Sequence, residues 1–148
     1  MLKGLHPLLT ADLLHALRSM GHGDAIAVVD ANFPASGLGP PVIELAGTSA
    51  PEALNAILTV FPLDDLAMPP ASTMEVVDAP QSVPAPVADF AAVFTRHGLD
   101  DVEIGRLPRR DFYQHAREAF AIVRTGELRP YGNILLVKGV VNRYEPAP

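Results

Sequence analysis

The chain contains no cysteine and no tryptophan. The first absence removes disulfides, thiolate nucleophiles and cysteine-ligated zinc or iron–sulfur centres in one step, and it fits the reducing cytoplasm. Charged residues make up only 19 % of the 148, and acidic side chains outnumber basic ones 17 to 11, for a net charge of −6. Phosphate binding needs a concentrated basic surface, which argues against nucleic acid as the main partner. No apolar stretch approaches the roughly 20 residues of a membrane-crossing helix, so no membrane role is expected. The opening Met1-Leu2-Lys3-Gly4-Leu5-His6-Pro7 has no long apolar core of a secretory signal. Also missing are a phosphate-binding P-loop, a glycine-rich dinucleotide fingerprint, a His-Glu-x-x-His helix and a Gly-x-Ser-x-Gly nucleophile turn. The five histidines (His6, His15, His22, His97 and His115) show no metal-ligand spacing. These absences argue against nucleotide-dependent redox chemistry, phosphoryl transfer and zinc hydrolysis. They leave acid–base chemistry or plain binding, with no cofactor and no metal.

What the chain has is apolar bulk punctuated by turns: 49 % hydrophobic residues, 15 prolines and 11 glycines. That composition predicts one globular domain with a substantial core. A mean hydropathy of +0.21 in so small a chain points to apolar surface shared between subunits, hence a homo-oligomer, with a large monomeric core as the plainer alternative. Leu13, Leu14, Leu17 and Met20 recur at helical spacing, with Thr10 to cap the start and Gly21 to end the helix. Ala25 to Val29 reads as a buried strand and Val42 to Leu45 as a second. Ser49 and Glu52 form a capping box opening a helix through Leu54, Ile57, Leu58 and Phe61. Met74 to Val77 is the expected third strand, Asp78 to Pro86 a surface connection and Val87 to His97 a helix closed by Gly98. Val102 to Ile104 is a brief strand. Pro108 introduces a helix through Phe112, Ala116 and Ala119 that runs into the apolar segment Phe120 to Val123. Ile134 to Val137 is the last strand, and Asn142 to Pro148 reads as a loosely held tail. Alternating strands and helices imply an α/β fold, with helices on both faces of a largely parallel or mixed sheet.

Two polar-glycine clusters stand at strand boundaries, where α/β sheets bind ligands. In Met20-Gly21-His22-Gly23-Asp24, a histidine between two glycines is poorly placed to pack a core and well placed to meet a small molecule. Histidine is the side chain suited to donate and accept protons in general acid–base work, which makes His22 the leading candidate; the plainer alternative is a surface histidine. Asp24 reads as a turn residue. Asp30 ends the first strand and is either a loop cap or a partner for His22. Tyr131-Gly132-Asn133 offers a hydroxyl and an amide, groups that hydrogen-bond polyols. Arg109 and Arg110 sit at a helix start, against the helix dipole, which hints at a specific partner for one of them. Tyr113 follows Phe112 and can be core with its hydroxyl at the rim. Asp64 and Asp65 can simply be solvated, and His15, His97 and His115 lie within helical patterns as structural or surface residues.

Taken together, several segments resemble the fucose mutarotase and ribose pyranase family of small sugar isomerases. They are Met20 to Asp24, Asp30 to Ala35, Gly39-Pro40, Phe112-Tyr113, Ala119 to Val123, Thr125-Gly126-Glu127 and Tyr131 to Leu136, in family order and spacing. Within that family the chain is similar to the fucose branch, because ribose pyranases carry Thr at Gly23, Ala at Gly132 and His at Arg109, and lack the Phe-Tyr pair. The resemblance implies a three-layer α/β/α fold and a ring-like, decamer-sized homo-oligomer with sites near subunit interfaces. It implies L-fucose as the favoured monosaccharide, His22 as the catalytic acid–base, and Asp30, Arg109, Tyr131, Gly132 and Asn133 as sugar-binding residues, with Asp64 and Tyr113 as further contacts. The alternatives it leaves are a D-ribose pyranase or other sugar mutarotase, or a non-catalytic sugar-binding or uptake accessory protein.

Overall fold

The computed structural model describes residues 1–67 and 69–144. The expected tail at 142–148 therefore falls largely outside the described residues; Asn142 to Tyr144 are exposed.

Helix α1 (Ala11–Ser19) starts where Thr10 accepts the Leu13 main-chain N–H on its side chain, and it buries Leu13, Ala16 and Leu17. Strand β1 (Ala25–Val29) follows, then β2 (Val42–Leu45) after the proline-rich loop. Helix α2 (Ala50–Leu58) opens on the Ser49–Glu52 capping box read from the sequence. It stops at Leu58, three residues before Phe61, where Thr59 and Val60 tighten into a turn ahead of Pro62.

Three strands differ from the sequence-based expectation. Strand β3 is Ala71–Met74 rather than Met74 to Val77. Its small polar residues give no hydrophobic pattern, and Val76 to Ala79 form a turn in which Asp78 takes the left-handed conformation. Strand β4 is Ile104–Leu107 rather than Val102 to Ile104, because Val102 is bent back onto Leu99 by a main-chain hydrogen bond. Between them α3 (Ala85–Arg96) begins two residues early, since Pro86 suits the first turn of a helix. Helix α4 (Arg109–Glu118) ends before the apolar segment it was expected to run into. That segment is instead strand β5 (Ala121–Thr125), in the interior of the sheet, and β6 (Ile134–Val137) closes the set.

The six strands lie in the order β2-β5-β1-β6-β3-β4. All are mutually parallel except β6, which runs antiparallel to β1 and β3. The reason is the length of the connection: residues 126–133 are too few for a crossover helix, so the chain must return antiparallel. Doing so, it crosses the carboxyl end of β1, where the Ala31 main-chain N–H donates to the Glu127 carbonyl at 2.9 Å. Alternate residues of β1 face opposite layers. Ile26 and Val28 join α1, α2 and α3 in the larger core, while Ala27 and Val29 pack with Phe112 and Ala116 of α4 and with Phe33. Among the described residues the architecture is a lopsided three-layer α/β/α sandwich, with three helices on one face and one on the other.

Candidate functional site

The loop across the carboxyl end of β1 builds one half of the candidate site. Asp30 is buried there, and its main-chain N–H donates to Asn133 Oδ1 at 2.9 Å. Its own Oδ1 accepts the Asn32 N–H at 3.0 Å, the loop-capping role considered from sequence. Desolvation pushes the Asp30 carboxyl above the ordinary carboxylate value, against the opposing pull of hydrogen bonds from Asn32, Asn133, Phe33 and Gly132. Tyr131 is held at φ 61°, a left-handed conformation uncommon for an aromatic residue, and its hydroxyl oxygen accepts the Val77 N–H at 3.2 Å. Gly132 stands where a Cβ would meet Glu127 Cγ at 2.7 Å.

Glu127 and Arg129 shape this loop; Glu127 lies in the Thr125-Gly126-Glu127 segment of the resemblance, but neither residue was given a role from the sequence. The buried Glu127 carboxylate accepts from Arg129 Nε and Nη2, both at 2.9 Å, and Arg129 Nη1 reaches Asp89 at 2.8 Å. The guanidinium holds the Glu127 carboxyl below its ordinary value. From the other side of the cavity, Arg109 at the start of α4 lies with its Cζ 5.5 Å from the centre of the Tyr113 ring. Tyr113 in turn packs on Phe33, ring centres 5.3 Å apart. Asp30, Asn32, Phe33, Met74, Arg109, Tyr113, Tyr131 and Asn133 thus line a cavity of about 280 Å³. A carboxylate, a guanidinium, phenol hydroxyls and an amide around apolar Phe33 and Met74 suit a small polyol with an apolar edge. Asn32 and Phe33 fall in the Asp30 to Ala35 segment of the resemblance but were given no site role, and Met74 was read only as part of a strand, because a lining residue carries no local signal.

His22 is elsewhere. It sits in the turn joining α1 to β1, at the opposite end of the same strand. Asp24 Oδ2 accepts the Gly21 N–H at 2.7 Å to close that turn, and Gly23 adopts φ 85°, which glycine takes without steric cost. Five strand residues at about 3.3 Å each separate the ends of β1 by roughly 16 Å. Asp30 is therefore not the partner of His22 in this chain. The partner is Asp64: His22 Nε2 lies 3.2 Å from Asp64 Oδ1, the histidine side chain 45 % exposed and the carboxylate 7 %. Asp64 also accepts the Leu66 N–H at 3.0 Å, and that bond, followed by His22, holds its carboxyl below the ordinary value. Asp64 thus faces His22 rather than the Asp30 cavity. The site residues form two groups: Asp30, Arg109, Tyr113, Tyr131, Gly132 and Asn133 at one end of β1, and His22 with Asp64 at the other. His97, hydrogen-bonded to Asn55 at 3.0 Å, is structural.

A description of the RbsD / FucU transport protein family matches residues 3–141. Human fucose mutarotase is 41 % identical over 146 residues, covering 95 % of this chain and 94 % of the human protein. The crystal structure of the Streptococcus pneumoniae fucose mutarotase in complex with L-fucose superposes with a TM-score of 0.88 at 38 % identity, over 95 % of this chain and 99 % of that one. FucU from Bifidobacterium longum superposes with a TM-score of 0.86 at 38 % identity, over 94 % and 99 %.

Proposed function

The chain belongs to the RbsD / FucU family, and from that premise we propose that it is an L-fucose mutarotase, an isomerase that interconverts the α and β anomers of the sugar. The observation that carries this reading is the match along nearly the whole chain to fucose mutarotases, one of them bound to L-fucose. The cavity at the carboxyl end of β1 supports it, with polar groups for ring hydroxyls and Met74 and Phe33 for an apolar edge such as the methyl of a 6-deoxy sugar.

Mutarotation needs a proton delivered to the ring oxygen and one removed from the anomeric hydroxyl. The bond between anomeric carbon and ring oxygen breaks, the free aldehyde rotates, and the ring recloses on its other face. A positioned acid–base group typically supplies about 10²–10⁴-fold in such a step. In our reading His22 moves that proton, oriented by Asp64 and helped by Tyr131 or a water. The Tyr131 oxygen accepts from Val77, so its O–H is left to donate toward the sugar. Asp30 and Arg109 hold hydroxyls by charge-assisted hydrogen bonds, with Asn133 and Tyr113 as further contacts.

A monosaccharide is too small to touch both groups within one chain. We therefore place the complete site between two copies, His22 and Asp64 from one meeting the Asp30 cavity of the next. What supports this is the roughly 16 Å between the two ends of β1 and the 45 % exposure of the His22 side chain. A closed ring of copies gives every site both halves, and we read the protein as such a high-order homo-oligomer. The cysteine-free sequence supports a cytoplasmic location.

The test is anomer exchange of L-fucose by saturation-difference NMR, with D-ribose alongside and His22→Ala as control. Fast exchange with fucose that is lost in the variant supports the enzyme and the role of His22. Binding without faster exchange would make the protein a sugar binder, and faster exchange of ribose than fucose would reassign the substrate.

A further inference from the structure

The end of α1 leaves main-chain carbonyls that need partners. In a continuing helix the Leu17 carbonyl would accept the Gly21 N–H, but that N–H is turned away to Asp24 Oδ2 at 2.7 Å. Met20 is already extended, at φ −61° and ψ 138°. Both carbonyls are taken by one side chain far along the sequence: Lys138 Nζ donates to Leu17 O at 2.7 Å and to Met20 O at 2.6 Å. The cation also meets the negative end of the helix dipole.

The main chain of the same residue performs a second task. The Lys138 carbonyl accepts the Gly23 N–H and its N–H donates to the Asp24 carbonyl, both at 2.8 Å. On its other side, Val137 O accepts the Asp64 N–H at 3.0 Å, the Gly139 N–H donates to Pro62 O at 2.9 Å, and Lys138 bridges Leu63. Lys138 is thus the central rung between the His22 turn and the Asp64 loop, and it shares with His22 the wall of a cavity of about 420 Å³.

We propose that Lys138 is a positioning residue for His22. Its ammonium secures the two carbonyls released when α1 ends early, and so fixes the turn that aims the imidazole at Asp64 and at the substrate. Nothing else among the described residues donates a side chain to those carbonyls. The proposal rests on the reading of His22 as the acid–base group.

The experiment compares K138M, K138R and H22N with the native protein in four measurements: anomer exchange of L-fucose across substrate concentration, fucose binding, the His22 imidazole resonances, and thermal melting. K138M keeps the aliphatic stem and loses the donor. It is expected to lower exchange at saturating sugar about 10- to 100-fold and to shift or broaden the His22 signals. KM should stay within about twofold, because sugar affinity is set at the other end of β1. K138R retains a cation with several donors and should recover most of the loss, which a purely structural loss of packing would not predict. K138M with native exchange while H22N has lost it overturns the proposal alone; so does K138R as slow as K138M. If H22N exchanges fucose at the native rate, the functional reading falls and this proposal with it. Should K138M fail to fold, K138Q replaces it: a folded K138Q that is slow beside an active K138R supports the role, and equal rates overturn it.

Discussion

Asn133 Oδ1 accepts the main-chain N–H of Asp30 at 2.9 Å, tying together residues 103 positions apart. That one bond fixes the start of the antiparallel return strand against the end of β1, and so sets the shape of the sugar cavity. Both residues are buried, so neither group can turn to water instead.

Asn133→Ala should leave the Asp30 N–H without a partner. A buried donor stranded in this way costs about 1–3 kcal/mol, which urea denaturation will read as a lower midpoint at unchanged slope. Fucose affinity should fall in parallel. A midpoint equal to the native one would mean that the N–H has found another acceptor.

Asp30→Asn should separate stability from function. Burial raises the carboxyl's value in the folded state, so below the ordinary 3.8 it is neutral whether folded or not and contributes nothing. As pH rises from 3.8 to the folded value, the unfolded chain gives up its proton while the folded one keeps it. Stability therefore falls over that window, and the whole cost is present above it. The variant should be more stable than the native protein at neutral pH and indistinguishable below 3.8, while losing sugar affinity at pH 7. Equal melting curves at neutral pH would show that the hydrogen bonds to Asp30 offset its desolvation.

Asp64→Asn should slow exchange by about 10-fold through a loosened His22, with fucose binding little changed. The pH dependence runs opposite to that of Asp30. The Asp64 value lies below 3.8 in the folded protein, so its contribution is present above 3.8 and is lost as pH falls through the folded value. The stability gap between native protein and variant should therefore close on acidification, as urea midpoints measured along a pH series will show. A gap that widens toward acid would contradict the ion pair.

Gly132→Ala should act by crowding. The new Cβ would lie 2.7 Å from Glu127 Cγ, and Glu127 cannot swing aside freely because Arg129 holds both of its oxygens. Overpacking of this kind costs about 1–3 kcal/mol and should displace Tyr131, raising KM for fucose. Unchanged melting and KM would show that the Glu127–Arg129 clamp yields.

Much of the fold was legible where local chemistry decides it. Thr10 and the Ser49–Glu52 box mark helix starts because capping is a matter of residues three apart. Ala25 to Val29 and Ile134 to Val137 are strands because dense apolar, β-branched runs have little else to do. Ala71 to Met74 escaped notice because Ala-Ser-Thr becomes strand only by pairing with β4 and β6. Phe120 to Val123 read as a continuation of the preceding helix, since a short apolar run next to a helix does not reveal its own period.

Which groups are available for chemistry is set by the order of residues alone. That order supplied a histidine freed from core packing by flanking glycines, a carboxylate at a strand end and a Tyr-Gly-Asn turn, with no thiol to compete. It could not determine which of them meet. Whether His22 faces Asp30 or Asp64 depends on the direction of β1 and on the short 126–133 return that reverses β6. That return sends Asn133 to Asp30 and Lys138 to the His22 turn. Those contacts join residues roughly 100 positions apart, and a hydrogen bond across such a span is specified by the packing of whole layers rather than by any neighbour in the chain.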